Sequence, residues 1–319
     1  MHFVLLICGF ALLVKGADWL VDGGSALGKR LGISDLVIGL TVVAFGTSMP
    51  ELFVNVLAGL RGSSELAIGN VLGSNVSNIL LILGVAAIIC PLGVGAGTVW
   101  KEIPFSLLAV LVLAVMANDH LLDQVDRSVL SRCDGLVLLG FFVIFLYYSA
   151  AIARQTPPAV FAEFARPPLG IWRACIYILI GIGALAIGGH LCVTGAIHIA
   201  RRLNVSESLI GLTVVAVGTS LPELATSVTA ALKKSCDIAV GNVVGSNIFN
   251  IFFILGVSAV SRPLPLKESS NIDIGVVIAA TMLLFVSMFT GKRKIIDRWE
   301  GWLMLGSYCL YVAYLIHRG

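Results

Sequence analysis

Thr47, Ser48 and Glu51 fall three and four residues apart, so on a helix their side chains share one face. Thr219, Ser220 and Glu223 repeat the arrangement. Ser74 with Asn78, and Ser246 with Asn250, add two hydroxyl–amide pairs at the same i, i+4 spacing. Every one of these side chains offers oxygen, and none is a thiolate or an imidazole. Such a set suits hard cations; Ca²⁺ takes about six to eight oxygens in a flexible cage. Main-chain carbonyls near Ala44 and Ala216, loosened by Pro50 and Pro222, would complete the shell. Two carboxylates brought together with no Lys or Arg in either motif repel each other. One Ca²⁺, two Na⁺ or two protons would neutralise them, and competition for one pair of carboxylates is itself a means of exchange.

The elements that carry these residues occur twice. Gly39–Glu51 reads GLTVVAFGTSMPE and Gly211–Glu223 reads GLTVVAVGTSLPE. Gly69–Gly84 reads GNVLGSNVSNILLILG and Gly241–Gly256 reads GNVVGSNIFNIFFILG. A constant shift of 172 residues relates both pairs without a gap, the mark of a duplicated structural unit.

The 319 residues are 58% hydrophobic and 12% charged, with a mean hydropathy of +1.00. Soluble domains carry about 25% charged residues, so the chain is an integral membrane protein. The net charge of +3 is spread over short loops, with no basic block for nucleic acid. Seven cysteines without a CxxC argue against zinc and against a disulfide framework. The apolar run at residues 3–14 has no preceding Lys or Arg, and the region just after it has an internal counterpart, Gly16–Ser34 over Gly188–Ser206. We therefore expect the N-terminus to be structure rather than a cleaved signal.

Ten stretches are long and apolar enough to span a bilayer: 3–29, 35–60, 66–90, 102–117, 134–153, 171–200, 207–232, 238–261, 272–290 and 299–317. The fold class is all-α, about ten transmembrane helices in two inverted five-helix repeats. Residues 1–153 form the first repeat, 154–170 a short hinge with four prolines, and 171–319 the second. Five crossings is an odd number, so the second copy enters from the opposite side, a plan that places substrate near the midplane where the halves meet. Pro50 and Pro222 interrupt apolar helices just before the glutamates, a break tolerated where backbone lines a cavity. With both termini outside, the cytoplasmic loops hold 12 Lys and Arg and the outer side 8. The bias favours both termini on the outer side, and a cell-membrane location is expected.

Plainer roles compete for several of these residues. Glycines and serines in GNVLGSN and GNVVGSN serve helix packing equally well. Thr or Ser in a membrane helix usually bonds back to its own backbone. Two glutamates at duplicated midplane positions have no such plain role, because a charge there is costly. Lys15, Asp18 and Asp22 on the first helix map at the 172-residue shift onto Ile187, His190 and Thr194, so interfacial pairing is expected of them. His190 and His198 are read as helix-end residues, with pH sensing as the alternative, and 119–134 as a solvated loop, with a weak surface cation site as the alternative. Ser77 and Phe249 differ between the copies and are expected to face away from the ion.

At GTSMPE/GTSLPE and GNVLGSNVSN/GNVVGSNIFN the chain resembles the cation/calcium exchanger superfamily, nearest to the compact prokaryotic sodium/calcium antiporters. The repeat signature covers about a third of the chain, and the ten-helix plan extends the resemblance to nearly all of it. The resemblance implies that Glu51 and Glu223 are central ligands shared by Ca²⁺ and Na⁺. It implies side-chain oxygens from Thr47, Ser48, Thr219 and Ser220, mainly for Na⁺, and carbonyls from Ala44 and Ala216. Ser74 and Ser246 would flank the site, with Asn78 and Asn250 beside the central position. The first and sixth helices would slide past the rest to alternate access, and more than two Na⁺ would exchange for each Ca²⁺. Some members have aspartate where this chain has Asn78 or Asn250; two amides leave two acidic groups, which argues against potassium co-transport.

The expected function is Ca²⁺ extrusion against an inward Na⁺ gradient, with the transported ions and the bilayer as partners. No cofactor, nucleic acid or obligate protein partner is expected, and no enzymatic activity. The alternatives are a proton-coupled antiporter on the same carboxylates, a cation channel, and a glutamate-dependent intramembrane protease.

Overall fold

A computed structural model describes residues 2–120, 128–154, 169–202 and 216–318. The first half holds α1 (His2–Leu31), the bent pair α2 (Asp35–Thr47) and α3 (Met49–Leu60), α4 (Ser64–Ile89), α5 (Thr98–Met116) and α6 (Arg132–Ala153). The second holds α7 (Ile171–Arg202), α8 (Ala216–Thr219), α9 (Leu221–Leu232), α10 (Cys236–Ser261), α11 (Ser270–Ser287) and α12 (Arg298–Arg318). Seven helices are long and apolar enough to cross a membrane, and the α2–α3 pair, bent by 48°, makes an eighth. The α8–α9 pair and α12, whose Arg298, Glu300 and Arg318 dilute its hydropathy, bring the helical passes to the ten expected. Most of the expected hinge, 154–170, lies outside the described residues, as does the start of the expected span 207–232.

The proline breaks have the same form in both copies. Ser48 leaves the helical region at φ −83°, ψ 4°, and Ser220 at φ −87°, ψ 5°. Pro50 and Pro222 then sit in the first turn of α3 and α9, where a missing N–H costs nothing. Within α4 and α10 the backbone widens into π-helical turns at Ser77–Leu83 and Phe249–Leu255, again 172 residues apart. Such turns re-aim side chains and are frequent at functional sites.

Short strands show that the repeats are inverted. Leu92–Gly93 (β1) pairs antiparallel with Ile295–Ile296 (β4), and Val129–Leu130 (β2) with Leu264–Pro265 (β3), at opposite ends of the bundle. The α3–α4 turn meets the β2–β3 end, where Arg262 Nη1 donates to the Leu60 carbonyl at 3.1 Å. Its counterpart, the α9–α10 turn, meets the β1 end, where Cys236 Sγ lies 4.0 Å from the Pro91 carbonyl.

Packing places α4 and α10 at the centre, mostly buried, and α6 at the periphery, mostly exposed. Each half's last helix docks on the other half, α6 on α10 and α12 on α4. The long helices α1 and α7 run antiparallel along a small-residue seam. A Cβ on Gly9, Gly16 or Gly23 would lie within 2.9 Å of the carbonyls of Gly188, Gly181 and Ala174. Contact that close requires residues without bulk, as in membrane helix pairs generally.

Candidate functional site

The two breaks bring Glu51 and Glu223 together in the centre of the bundle. Both are fully buried, and each lies close enough to act on the other electrostatically. Among the described residues neither has a basic partner. Both oxygens of Glu51 and Oε2 of Glu223 have no hydrogen-bond donor, while Glu223 Oε1 has Ser48 Oγ at 3.0 Å. Uncompensated carboxylates this deep are expensive, so the arrangement calls for neutralisation, by metal cations or by protons.

The surrounding hydroxyls and amides are joined across the repeat boundary by a pseudo-twofold set of bonds. Thr47 Oγ1 lies 3.1 Å from Asn242 Oδ1, and Thr219 Oγ1 lies 3.3 Å from Asn70 Oδ1. Ser48 Oγ lies 3.0 Å from Ser246 Oγ, and Ser220 Oγ 3.2 Å from Ser74 Oγ. Asn78 Nδ2 donates to Asn247 Oδ1, and Asn250 Nδ2 to Asn75 Oδ1, both at 2.9 Å. Each bond of a pair becomes the other when 172 residues are added or subtracted.

These contacts draw together the sequence candidates Thr47, Ser48, Glu51, Ser74, Asn78, Thr219, Ser220, Glu223, Ser246 and Asn250. The oxygens of Asn78 and Asn250 are buried and accept no hydrogen bond. The Ala44 carbonyl accepts from the Ser48 N–H at 3.0 Å and has Thr47 Oγ1 at 3.3 Å. Pro50 therefore does not free it; the donor that proline removes is the one that would reach Gly46. Thr47 Oγ1 has one proton and a nearer acceptor in Asn242 Oδ1 at 3.1 Å, so the second lone pair of the Ala44 oxygen keeps acceptor capacity. Ala216 opens α8 at the matching position of the second copy.

Several polar residues at the site escaped the sequence reading. Asn70 and Asn242 hold the two threonines, and Asn75 and Asn247 hold the two central amides. Their signal was present, since all four stand inside the duplicated GNV and GSN strings. Asn55, Thr226 and Ser227 lie one turn beyond the glutamates and are fully buried. Asn55 donates to the Glu51 carbonyl at 2.7 Å, and Asn242 donates to Ser227 Oγ at 3.0 Å. Val54, Asn55, Thr226 and Ser227 do not repeat at the 172-residue shift, so duplication gave no clue to them.

Other expectations have a definite outcome. Lys233 Nζ reaches Asp22 Oδ1 at 2.8 Å and Asp18 Oδ1 at 3.2 Å, so those two acids of α1 pair with the turn that follows α9. Phe249 is packed among Phe45, Phe142 and Phe253, with ring centroids 4.8–6.1 Å away.

The chain matches the family model for sodium/calcium exchanger protein over residues 1–151 and 173–317. It is 38% identical to a putative antiporter, CaxA, of Alkalimonas amylolytica, covering 97% of this chain and 96% of that one. It is 33% identical to the sodium/calcium exchanger MaX1 of Methanosarcina acetivorans, covering 99% and 97%. Its fold superposes on the solved structure of the sodium-calcium exchanger NCX_Mj, soaked with Na⁺ and Sr²⁺, with a TM-score of 0.83 at 34% identity over 98% of this chain and 97% of that one. A buried carboxylate pair on inverted repeats and near-complete alignment to exchangers agree: this multi-pass membrane transporter belongs to the sodium/calcium exchanger protein family.

Proposed function

We propose that the protein is a secondary antiporter that exchanges Ca²⁺ for Na⁺ and extrudes Ca²⁺ by using the inward Na⁺ gradient. The observation that carries this reading is the pair Glu51 and Glu223, fully buried, without a basic partner among the described residues, and with three carboxylate oxygens lacking donors. In this reading their charge is neutralised by one Ca²⁺ or by Na⁺ ions. Thr47, Ser48, Thr219 and Ser220, the carbonyls of Ala44 and Ala216, Ser74, Ser246, Asn78 and Asn250 add neutral oxygens around them. An all-oxygen set of this size suits Ca²⁺ and Na⁺ and offers nothing to softer metals. The solved exchanger NCX_Mj has been soaked with Na⁺, Ca²⁺ and Sr²⁺, which supports the same ions here.

Alternating access is assigned to α1 and α7 moving together past the rest, with the glycine seam keeping them a unit. The excess of Lys and Arg on the side of the α1–α2 turn supports a cytoplasmic position for that side, both termini outside, in the cell membrane. The relative YrbG of Escherichia coli is named an inner membrane protein.

The test is ⁴⁵Ca²⁺ uptake into proteoliposomes preloaded with Na⁺, with K⁺-loaded and pH-jumped controls. Uptake only with an outward Na⁺ gradient is the expected result. Uptake driven by a proton gradient alone would move the coupling to H⁺ on the same carboxylates, and uncoupled saturation-free flux would indicate a channel.

A further inference from the structure

Asn75 and Asn247 touch the site only through other side chains. Asn247 is 1% exposed and Asn75 is fully buried. An amide can present either its oxygen or its NH₂ to a neighbour, and a cation tolerates only the oxygen. Something must therefore fix which end of Asn78 and of Asn250 faces the site.

For Asn78 the chain of fixation can be followed atom by atom. The Asn75 main-chain carbonyl is an acceptor and nothing else. Asn247 Nδ2 lies 3.4 Å from it and donates. The Asn247 amide is thereby held with its oxygen toward Asn78, which must answer with Nδ2, at 2.9 Å. Asn78 Oδ1 is left turned away from this contact, buried and free of any hydrogen bond. One carbonyl of the first repeat, through one amide of the second, so sets the polarity of a side chain back in the first.

The partner arrangement is not equivalent. Asn250 Nδ2 has two acceptors, Asn75 Oδ1 at 2.9 Å and Ser74 Oγ at 3.1 Å. Asn75 Nδ2 itself has no acceptor, so no bond fixes the Asn75 amide from behind. Asn78 has Asn247 as its acceptor; Asn250 is held twice.

We propose that Asn247 and Asn75 are positioning residues that aim the amide oxygens of Asn78 and Asn250 at the transported cation, with Asn247 indispensable to Asn78 and Asn75 backed up by Ser74 for Asn250. The proposal rests on Asn78 and Asn250 being cation ligands, as assigned above. Loss of Asn247 lets the Asn78 amide rotate and offer NH₂ to a divalent ion. Loss of Asn75 leaves Asn250 aimed by Ser74.

The test is a double-mutant cycle on the purified full chain, read as Ca²⁺ affinity by calorimetry and, separately, as transport by ⁴⁵Ca²⁺ uptake. Asn247→Leu should weaken Ca²⁺ binding about tenfold, the size of one misdirected buried polar contact. Asn75→Leu should weaken it less than about threefold, because Ser74 still accepts from Asn250. In an Asn78→Ala background, Asn247→Leu should add nothing, because it acts through Asn78. A general packing role would instead give equal losses in both backgrounds, together with a lowered unfolding midpoint, and that result overturns the proposal. Wild-type protein that binds Ca²⁺ without Na⁺-driven uptake would refute the exchange reading while the cycle still decides the positioning role. Wild-type protein that binds no cation would overturn both.

Discussion

Ser48 Oγ lies 3.0 Å from Glu223 Oε1, so a hydroxyl of the first repeat supports the carboxylate of the second. The same oxygen lies 3.0 Å from Ser246 Oγ, whereas the counterpart Ser220 meets Ser74 at 3.2 Å and leaves both Glu51 oxygens without a donor. The two glutamates are thus alike in sequence and unlike in support. Ser48→Ala should weaken cation binding about ten- to 100-fold, the effect of removing a hydrogen bond to a charged group. Ser220→Ala should do less. Na⁺ and Ca²⁺ half-saturation of exchange, measured for both variants, checks the difference; equal losses would mean that Glu223 does not depend on Ser48.

Removing either carboxylate charge should separate function from folding. Glu51→Gln and Glu223→Gln each leave one negative charge, too little for a divalent ion, and charge count is a main determinant of Ca²⁺ affinity. Ca²⁺ uptake should fall by about 100-fold or more in both. Without cations, the same variants should unfold at the wild-type temperature or about 2–4 °C above it, because a costly buried charge is gone. Added Ca²⁺ should raise the midpoint of wild type and of neither variant. Retained uptake in both would remove the site from its assigned place.

Much of this was legible in the chain because duplication is legible. The repeated GTSMPE and GTSLPE strings located both glutamates and the break before each, and five apolar stretches per half gave the odd number of crossings, hence the inversion. Pairings across the halves were not legible. Thr47 with Asn242 and Asn78 with Asn247 are 195 and 169 residues apart, and no local periodicity records which copy meets which. The expected release of the Ala44 carbonyl failed for a local reason: Ser48 remains its donor at 3.0 Å, since the missing proline N–H falls two residues later in the ladder. Polar residues present in one copy alone, such as Thr226 against Val54, carried no repeat signal.

Lys233 bonds Asp22 at 2.8 Å and Asp18 at 3.2 Å, tying the α9–α10 turn to α1 at one end of the bundle. A perfect duplication would give the inward- and outward-open forms equal energies. Here the counterparts at the 172-residue shift are Arg61, His190 and Thr194, a set with no carboxylate. On the alternating-access reading proposed above, the ion pair adds to the asymmetry between the two states. Its groups are about a third to a half exposed, which limits the effect to a factor of about two to five. Lys233→Ala should change the ratio of Ca²⁺ half-saturation at the two faces by that factor, and more weakly in high salt. Arg61→Ala should leave the ratio unchanged. Uptake assays on right-side-out and inside-out vesicles measure it.

The glycine seam between α1 and α7 can be tested by bulk at neighbouring positions of one helix. A Cβ on Gly181 would lie 2.7 Å from the Leu20 amide nitrogen and 2.8 Å from the Gly16 carbonyl, both main-chain atoms that cannot step aside. A Cβ on Gly183 would meet nothing within 4 Å. Gly181→Val should force the helices apart and destabilise the protein by about 1–3 kcal/mol, as overpacking does. Gly183→Val adds the same side chain to the same helix and should leave the unfolding midpoint and uptake close to wild type. If α1 and α7 move as one unit, Gly181→Val should also lower the exchange rate more than it lowers Ca²⁺ affinity, because the carboxylates themselves are on α3 and α9. A parallel loss of affinity would show instead that the seam holds the site in shape rather than carrying the motion.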